Sequence, residues 1–275
     1  MPTVRLPDLD LHYEVRGSGP RLLLCNGSGA TIEASGPLIG ALAQHFEVAV
    51  HDQRCLGRTG IPAAVADERG AASPPSVTMA DYGADAVALL DHLGWDRSLV
   101  FGISFGGMVA LELAVTQPER IARLALLCTS AGGAGGSSFP LHELAALAPD
   151  ERAAVALRNL DRRFTPEWLQ THPHDQALVH AMFDRGQRER SAEEARGEAL
   201  QLEARRHHDV WERLGRITAP TLIASGRYDG QAPTENSEAL ATRIAGSEHR
   251  VYEGGHAFVF QDRTALPEIV EFLLR

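Results

Sequence analysis

Short apolar runs and helical stripes alternate along the first half of the chain. Residues 11–15 alternate apolar and polar side chains, while 21–25 and 46–50 are short apolar runs bounded by Gly or polar turn residues, the pattern of strands. Residues 37–44, between the two runs, suit one or two helical turns. From 78 to 93, Met79, Tyr82, Ala86, Leu89, Leu90 and Leu93 recur at helical spacing, and Gly94 supplies a stop. A strand over 98–103, a helix over 105–117 and a strand over 121–128 follow. This alternation predicts an α/β fold, a mostly parallel twisted sheet flanked by helices.

At Ala131 the pattern changes. Gly132, Gly133, Gly135, Gly136, Ser137 and Ser138 predict a flexible joint, and the next stretch of about 75 residues carries no strand signal. Residues 141–214 are rich in Ala, Leu, Glu and Arg, with breaks at Pro149, Pro166 and Pro173, which predicts several short helices. Strand character returns at 221–224, helical spacing at 235–244, a last strand at 250–252 and a closing helix at 264–274. The expected organisation is one interrupted domain: 1–131 and 217–275 form the core, and 132–216 form an inserted helical cap.

Composition narrows the partners. The 275 residues carry 26 basic against 36 acidic side chains, a net charge of -10 that repels polyanions, and the Arg residues do not gather into a stripe. Nucleic acid is therefore excluded as an expected partner. The N-terminus lacks the charged head and apolar run of a secretory signal, and no apolar stretch approaches the roughly 20 residues that span a bilayer, so a soluble cytoplasmic protein with no membrane partner is expected. Cys25, Cys55 and Cys128 are an odd set that fits neither a disulfide framework nor a metal site, in keeping with a reducing compartment. Cys25 and Cys128 read as small core residues, whereas Cys55 lies in a loop expected near the active site.

Chemistry concentrates in three places. Gly102, Ile103, Ser104, Phe105, Gly106 and Gly107 stand between an apolar strand and an apolar helix, where G-x-S-x-G makes a nucleophile elbow: small flanking residues permit the sharp turn that exposes the serine hydroxyl. A serine needs a base, and of 12 histidines His256 is singled out by its glycine turn, Gly254 and Gly255, between the last strand and the last helix. The base needs an acid to fix its tautomer, and Asp229, just past the strand from Thr221, completes the order Ser, Asp, His. After Cys128 come Thr129, Ser130 and Ala131, so that strand end offers no rival carboxylate. An oxyanion hole needs two backbone N–H groups, assigned to Phe105 and to Ser28 in the Asn26, Gly27, Ser28, Gly29 loop. A dinucleotide loop there is weak, because position 32 is Ile where a third glycine belongs.

These motifs, with Asp52, Gln53, Arg54, Gly57, Arg58 and Thr59, resemble the α/β-hydrolase superfamily across nearly the whole chain. Within it the sequence is similar to small cap-bearing serine hydrolases: 3-oxoadipate enol-lactonase, bacterial carboxylesterases and C–C bond hydrolases. Asn26 and Gly27 stand where such enzymes usually carry His-Gly, and Cys55 and Leu56 replace Gly and His in the D-x-R-G-x-G pattern. Ser104 separates the chain from haloalkane dehalogenases and epoxide hydrolases, which carry Asp as nucleophile. The resemblance implies hydrolysis of a small carboxylic ester or lactone without a cofactor.

Specificity is expected in the cap, where Trp168, Phe183, His207, His208 and Trp211 are candidate pocket residues, with Trp168, Phe183 and His208 foremost. His172, His174 and His180 have no Cys or HExxH-like companion, so no metal is expected. Two alternatives stay open: a C–C hydrolase, perhydrolase or cofactor-free oxygenase on the same site, and a ligand receptor retaining a slow hydrolase site. Substrate identity and oligomeric state are not legible.

Overall fold

The computed structural model describes residues 2–66, 77–186 and 190–275. One eight-stranded sheet is built from β1 (Thr3–Arg5), β2 (Asp10–Arg16), β3 (Arg21–Cys25), β4 (Glu47–His51), β5 (Ser98–Ile103), β6 (Ile121–Leu127), β7 (Thr221–Gly226) and β8 (Glu248–Tyr252). The spatial order is β1-β2-β4-β3-β5-β6-β7-β8. Only the pairings made by β2 are antiparallel; β4 through β8 run parallel. The expected α/β class with a mostly parallel sheet is met. β1 was not legible, because Val4 alone of its three residues is buried and no alternation can register.

The central strands read as apolar runs because both their faces are covered. On one face lie α1 (Gly36–Leu42) and the C-terminal helix; on the other lie helices that follow β4 and β5. In chain order the remaining helices are α2 (Ala63–Ala66), α3 (Met79–His92), α4 (Phe105–Thr116), α5 (Pro149–Leu160), α6 (Pro166–Thr171), α7 (Pro173–Gly186), α8 (Ala192–Arg206), α9 (Thr234–Arg243), α10 (Phe258–Gln261) and α11 (Ala265–Leu274). Helix α3 starts at a Thr78–Asp81 capping box and buries the face carrying Met79, Tyr82, Ala86, Leu89 and Leu90. Helix α4 is buried all round from Phe105 to Val115, so it has no polar stripe to orient it; its one acid, Glu112, is forked by Arg213 at 2.9 and 3.0 Å.

The short helices expected between Pro149, Pro166 and Pro173 are present, and each proline begins one, α5, α6 and α7, where a missing N–H costs nothing and a fixed φ helps. One expectation for this segment needs correction. The glycines after Ala131 are not a flexible joint. Gly132 pairs with Asp209 in an isolated bridge, Val210 N–H donates to Ala131 O at 2.9 Å, and a Cβ on Gly132 would run into the His208 carbonyl. Close backbone approach, not freedom, selects glycine there.

Among the described residues, His51 at the end of β4 and His208 beyond α8 are buried with no hydrogen-bond partner found for either ring nitrogen. Burial, aided by the nearby Arg54 charge, pulls His51 down to about 4, and burial pulls His208 to about 4 as well. Below pH 6.5 the unfolded chain takes up protons that these folded sites refuse, so stability falls as pH drops towards 4, by about 3 kcal/mol per histidine. Urea unfolding at pH 7 and pH 4.5 should therefore show His208→Gln flattening the acid loss by about 2–3 kcal/mol. The same acid loss in both proteins would contradict it.

Candidate active site

Three side chains separated by up to 152 positions meet at the C-terminal rim of the sheet. Ser104 follows β5, Asp229 follows β7 and His256 follows β8. His256 Nε2 lies 2.9 Å from Ser104 Oγ, and His256 Nδ1 lies 2.8 Å from Asp229 Oδ2. The other Asp229 oxygen accepts the backbone N–H groups of Gln231 at 2.7 Å and Ala232 at 2.8 Å, which fixes the carboxylate plane. Asp229 is fully buried, Ser104 is 8% exposed and the His256 side chain 12%. Burial pulls the imidazole pKa down, but the adjacent Asp229 carboxylate overrides it and holds His256 well above the usual histidine value.

The elbow is strained at Ser104. Ser104 sits at φ 55°, ψ -118°, a conformation costing a non-glycine residue about 1–3 kcal/mol. Its backbone is clamped from both sides, Ser104 N–H donating to Leu127 O at 2.8 Å and Thr129 Oγ1 donating to Ser104 O at 2.9 Å. Gly106 is required by close packing, since a Cβ there would run into the Cys25 carbonyl. Gly106→Ala should accordingly cost about 3 kcal/mol or more, read as a lower urea midpoint; an unchanged midpoint would contradict the contact.

The loop proposed for the oxyanion is pinned by a relay of amides. Gln53 Nε2 donates to Asn26 O at 2.8 Å, Gln201 Nε2 donates to Gln53 Oε1 at 3.1 Å, and Gly29 N–H donates to Gln201 Oε1 at 2.8 Å. Ala30 N–H closes the turn onto Gly27 O. Ser28 lies inside this turn, its own amide outside both bonds, and a Cβ on Gly27 would lie 3.6 Å from the Ser104 Cβ. Phe105 opens α4, with its N–H among the unpaired donors of the first turn and its ring edge-on to Tyr82.

The sequence missed Gln231. Its Nε2 donates to His256 Nε2 across 2.7 Å and lies 3.5 Å from Ser104 Oγ, so it competes with the serine for the imidazole lone pair. Its place two residues past the acid was a usable signal. Arg162 was also missed; it donates twice to the Asp229 carbonyl, at 2.8 and 3.0 Å, and ties the segment after α5 to the acid's loop.

Other expected residues are placed as follows. Trp168 stacks on His172 with ring centroids 3.7 Å apart and donates Nε1 to Asp175 at 2.9 Å, within a packed cluster of α5, α6 and α7. His207 is exposed against Glu203, and Trp211 packs beside Gly135. His208 is buried 3.9 Å from Glu112. Phe183 lies outside the described side chains. Cys55 is buried and burial raises its thiol to about 11. The ligand-type atoms of Cys128, Asp229 and His256 lie within 4.8 Å of one another. The 2.8 Å between Asp229 and His256 is a hydrogen-bond length, shorter than the ~3.3 Å that separates two ligands of a tetrahedral zinc.

The chain matches the α/β-hydrolase fold family over residues 20–263 and belongs to it. RutD of Variovorax paradoxus (strain S110), named as a carbamate hydrolase, is 31% identical over 282 residues covering 97% of each chain. The 3-oxoadipate enol-lactonase 2 of Acinetobacter baylyi is 25% identical, covering 99% of this chain and 96% of that one. A crystal structure of the enol-lactonase from Burkholderia xenovorans LB400 superposes over 100% of both chains with a TM-score of 0.76 at 23% identity. A hydrolase from Pseudomonas aeruginosa PA01 gives 0.77 at 28% identity, covering 99% and 97%. The protein is thus an α/β hydrolase. Among the described residues, no helix is long and apolar enough to cross a membrane.

Proposed function

We propose that the chain is a serine hydrolase that cleaves a small carboxylic ester, lactone or carbamate through an acyl-enzyme on Ser104. The unbroken chain from Ser104 Oγ through His256 to the buried Asp229 carboxylate carries this reading. His256, held by Asp229 with its proton on Nδ1, accepts the serine proton at Nε2 as Oγ attacks the carbonyl carbon. The amides of Ser28 and Phe105 receive the oxyanion, backed by the positive end of α4. His256 then returns the proton to the leaving oxygen or nitrogen. Water, deprotonated by the same nitrogen, releases the acid. Gln231 shares Nε2 with the serine and so opposes early proton uptake. No step calls for a metal or cofactor.

The helices between β6 and β7 form the cap of this site, α8 meeting the Gly29 loop through Gln201. The relatives' names bring enol-lactone and carbamate carbonyls into the substrate class, and both suit the same attack. Labelling with a fluorophosphonate, followed by peptide mapping, should place a single adduct on Ser104. A panel of p-nitrophenyl esters, lactones and carbamates should show turnover that the label abolishes. Full turnover by labelled protein would overturn the reading.

A further inference from the structure

Helix α8 carries a guanidinium that is largely unpartnered among the described residues. Arg205 is 7% exposed, and its Nε and Nη2 are buried with no hydrogen-bond partner. Among the described residues it makes no ion pair, unlike the buried Arg54, which is forked by Asp85 at 2.6 and 2.7 Å. A buried charge with neither counter-ion nor hydrogen bonds is costly, so such a group calls for an anion from elsewhere. Burial lowers its pKa only to about 10, which leaves it cationic at neutral pH.

The course of α8 fixes where Arg205 stands. Gly197 packs on the Cys55 carbonyl in the loop after β4; Gln201 holds Gly29 in the loop after β3; His208 lies against Gly132 in the loop after β6. The sheet order is β4-β3-β5-β6, so the helix crosses the rim strand by strand. A rise of 1.5 Å per residue takes α8 about 6 Å from Gln201 to Arg205, a little more than one strand spacing of about 4.8 Å. Arg205 therefore falls over β5, whose end is Ser104. Around the helix axis it is turned about 40° from Gln201, and about 140° from Leu200, which packs into the core of α3 and α4. It therefore lies on the Gln201 side of the helix, away from that core.

From this placement, we infer that Arg205 is the specificity-determining residue of the site and recognises a free carboxylate on the substrate, so the acyl compound cleaved is an anion. A planar fork of N–H donors matches a carboxylate bidentately, and the dry surroundings make the discrimination steep. The inference rests on the hydrolytic reading of Ser104, and its test separates the two. Two p-nitrophenyl esters of similar size, the hemisuccinate and the butyrate, differ by one terminal carboxylate. The ratio of kcat/KM for hemisuccinate to that for butyrate should fall at least tenfold in Arg205→Gln, chiefly through KM, and recover in part in Arg205→Lys. Succinate binding, measured by titration calorimetry without turnover, should weaken at least tenfold in Arg205→Gln. If neither ester turns over and no fluorophosphonate adduct forms, while succinate binding still depends on Arg205, the anion site stands and the hydrolytic reading falls. An ester ratio unchanged within twofold overturns the inference. So does the absence, where there is no turnover, of any Arg205-dependent succinate binding.

Discussion

Ser104→Ala is expected to lower kcat/KM on any acyl substrate by roughly four to six orders of magnitude while leaving the fold intact. The loss is large because the hydroxyl is the only group through which the His256–Asp229 pair can act: Nε2 stands 2.9 Å from Oγ, and without that oxygen the imidazole has no nucleophile to deprotonate. The fold survives because alanine keeps the Cβ that already occupies the turn, and the clamps on residue 104 are made by its backbone N–H and C=O. Backbone strain gives an internal control. At φ 55° a glycine is relieved of its Cβ, so Ser104→Gly should unfold at higher urea than Ser104→Ala, by about 1–2 kcal/mol, though both are inactive. Residual activity in Ser104→Ala above about 1% would show that water or another group, not Ser104, attacks the carbonyl.

That the candidate serine could be singled out without coordinates follows from the elbow's physics. A serine forced to positive φ needs glycines about it, and a strand before it and a helix after it are written in the apolar runs 98–103 and 105–117. His256 and Asp229 were legible for a related reason: parallel strands deliver their following loops to one rim, so position after a strand is position at the site. Where the pattern failed, a packing fact had replaced a local one. The Gly132 to Gly136 stretch read as slack, whereas its glycines admit the His208 carbonyl and the Trp211 ring. Gln231 and Arg205 were invisible for the same reason. An arginine in the polar, charged α8 reads as a solvated side chain, and only the crossing of that helix over β5 buries it.

Asp229→Asn is expected to reduce kcat about 10⁴-fold with little change in substrate affinity, because it reverses the tautomer. The carboxylate uses Oδ1 to accept two backbone amides and Oδ2 to accept the His256 Nδ1 proton. In asparagine the carbonyl oxygen stays with the amides, which offer only donors, and the side-chain NH2 turns to Nδ1. That nitrogen must then be the acceptor, the ring proton moves to Nε2, and Nε2 can no longer take the proton of Ser104. The pH profile tests the electrostatic half of the same argument. The base works when neutral, so activity rises as pH passes upward through the His256 pKa. With Asp229 present this acid limb should lie above 6.5, since the carboxylate outweighs burial. Without the charge, burial pulls the ring down against Cys128 alone, and the limb of the residual activity should move to lower pH. A limb that stayed in place would mean that the Asp229 charge does not govern His256, and the acid would have to be sought elsewhere around the ring.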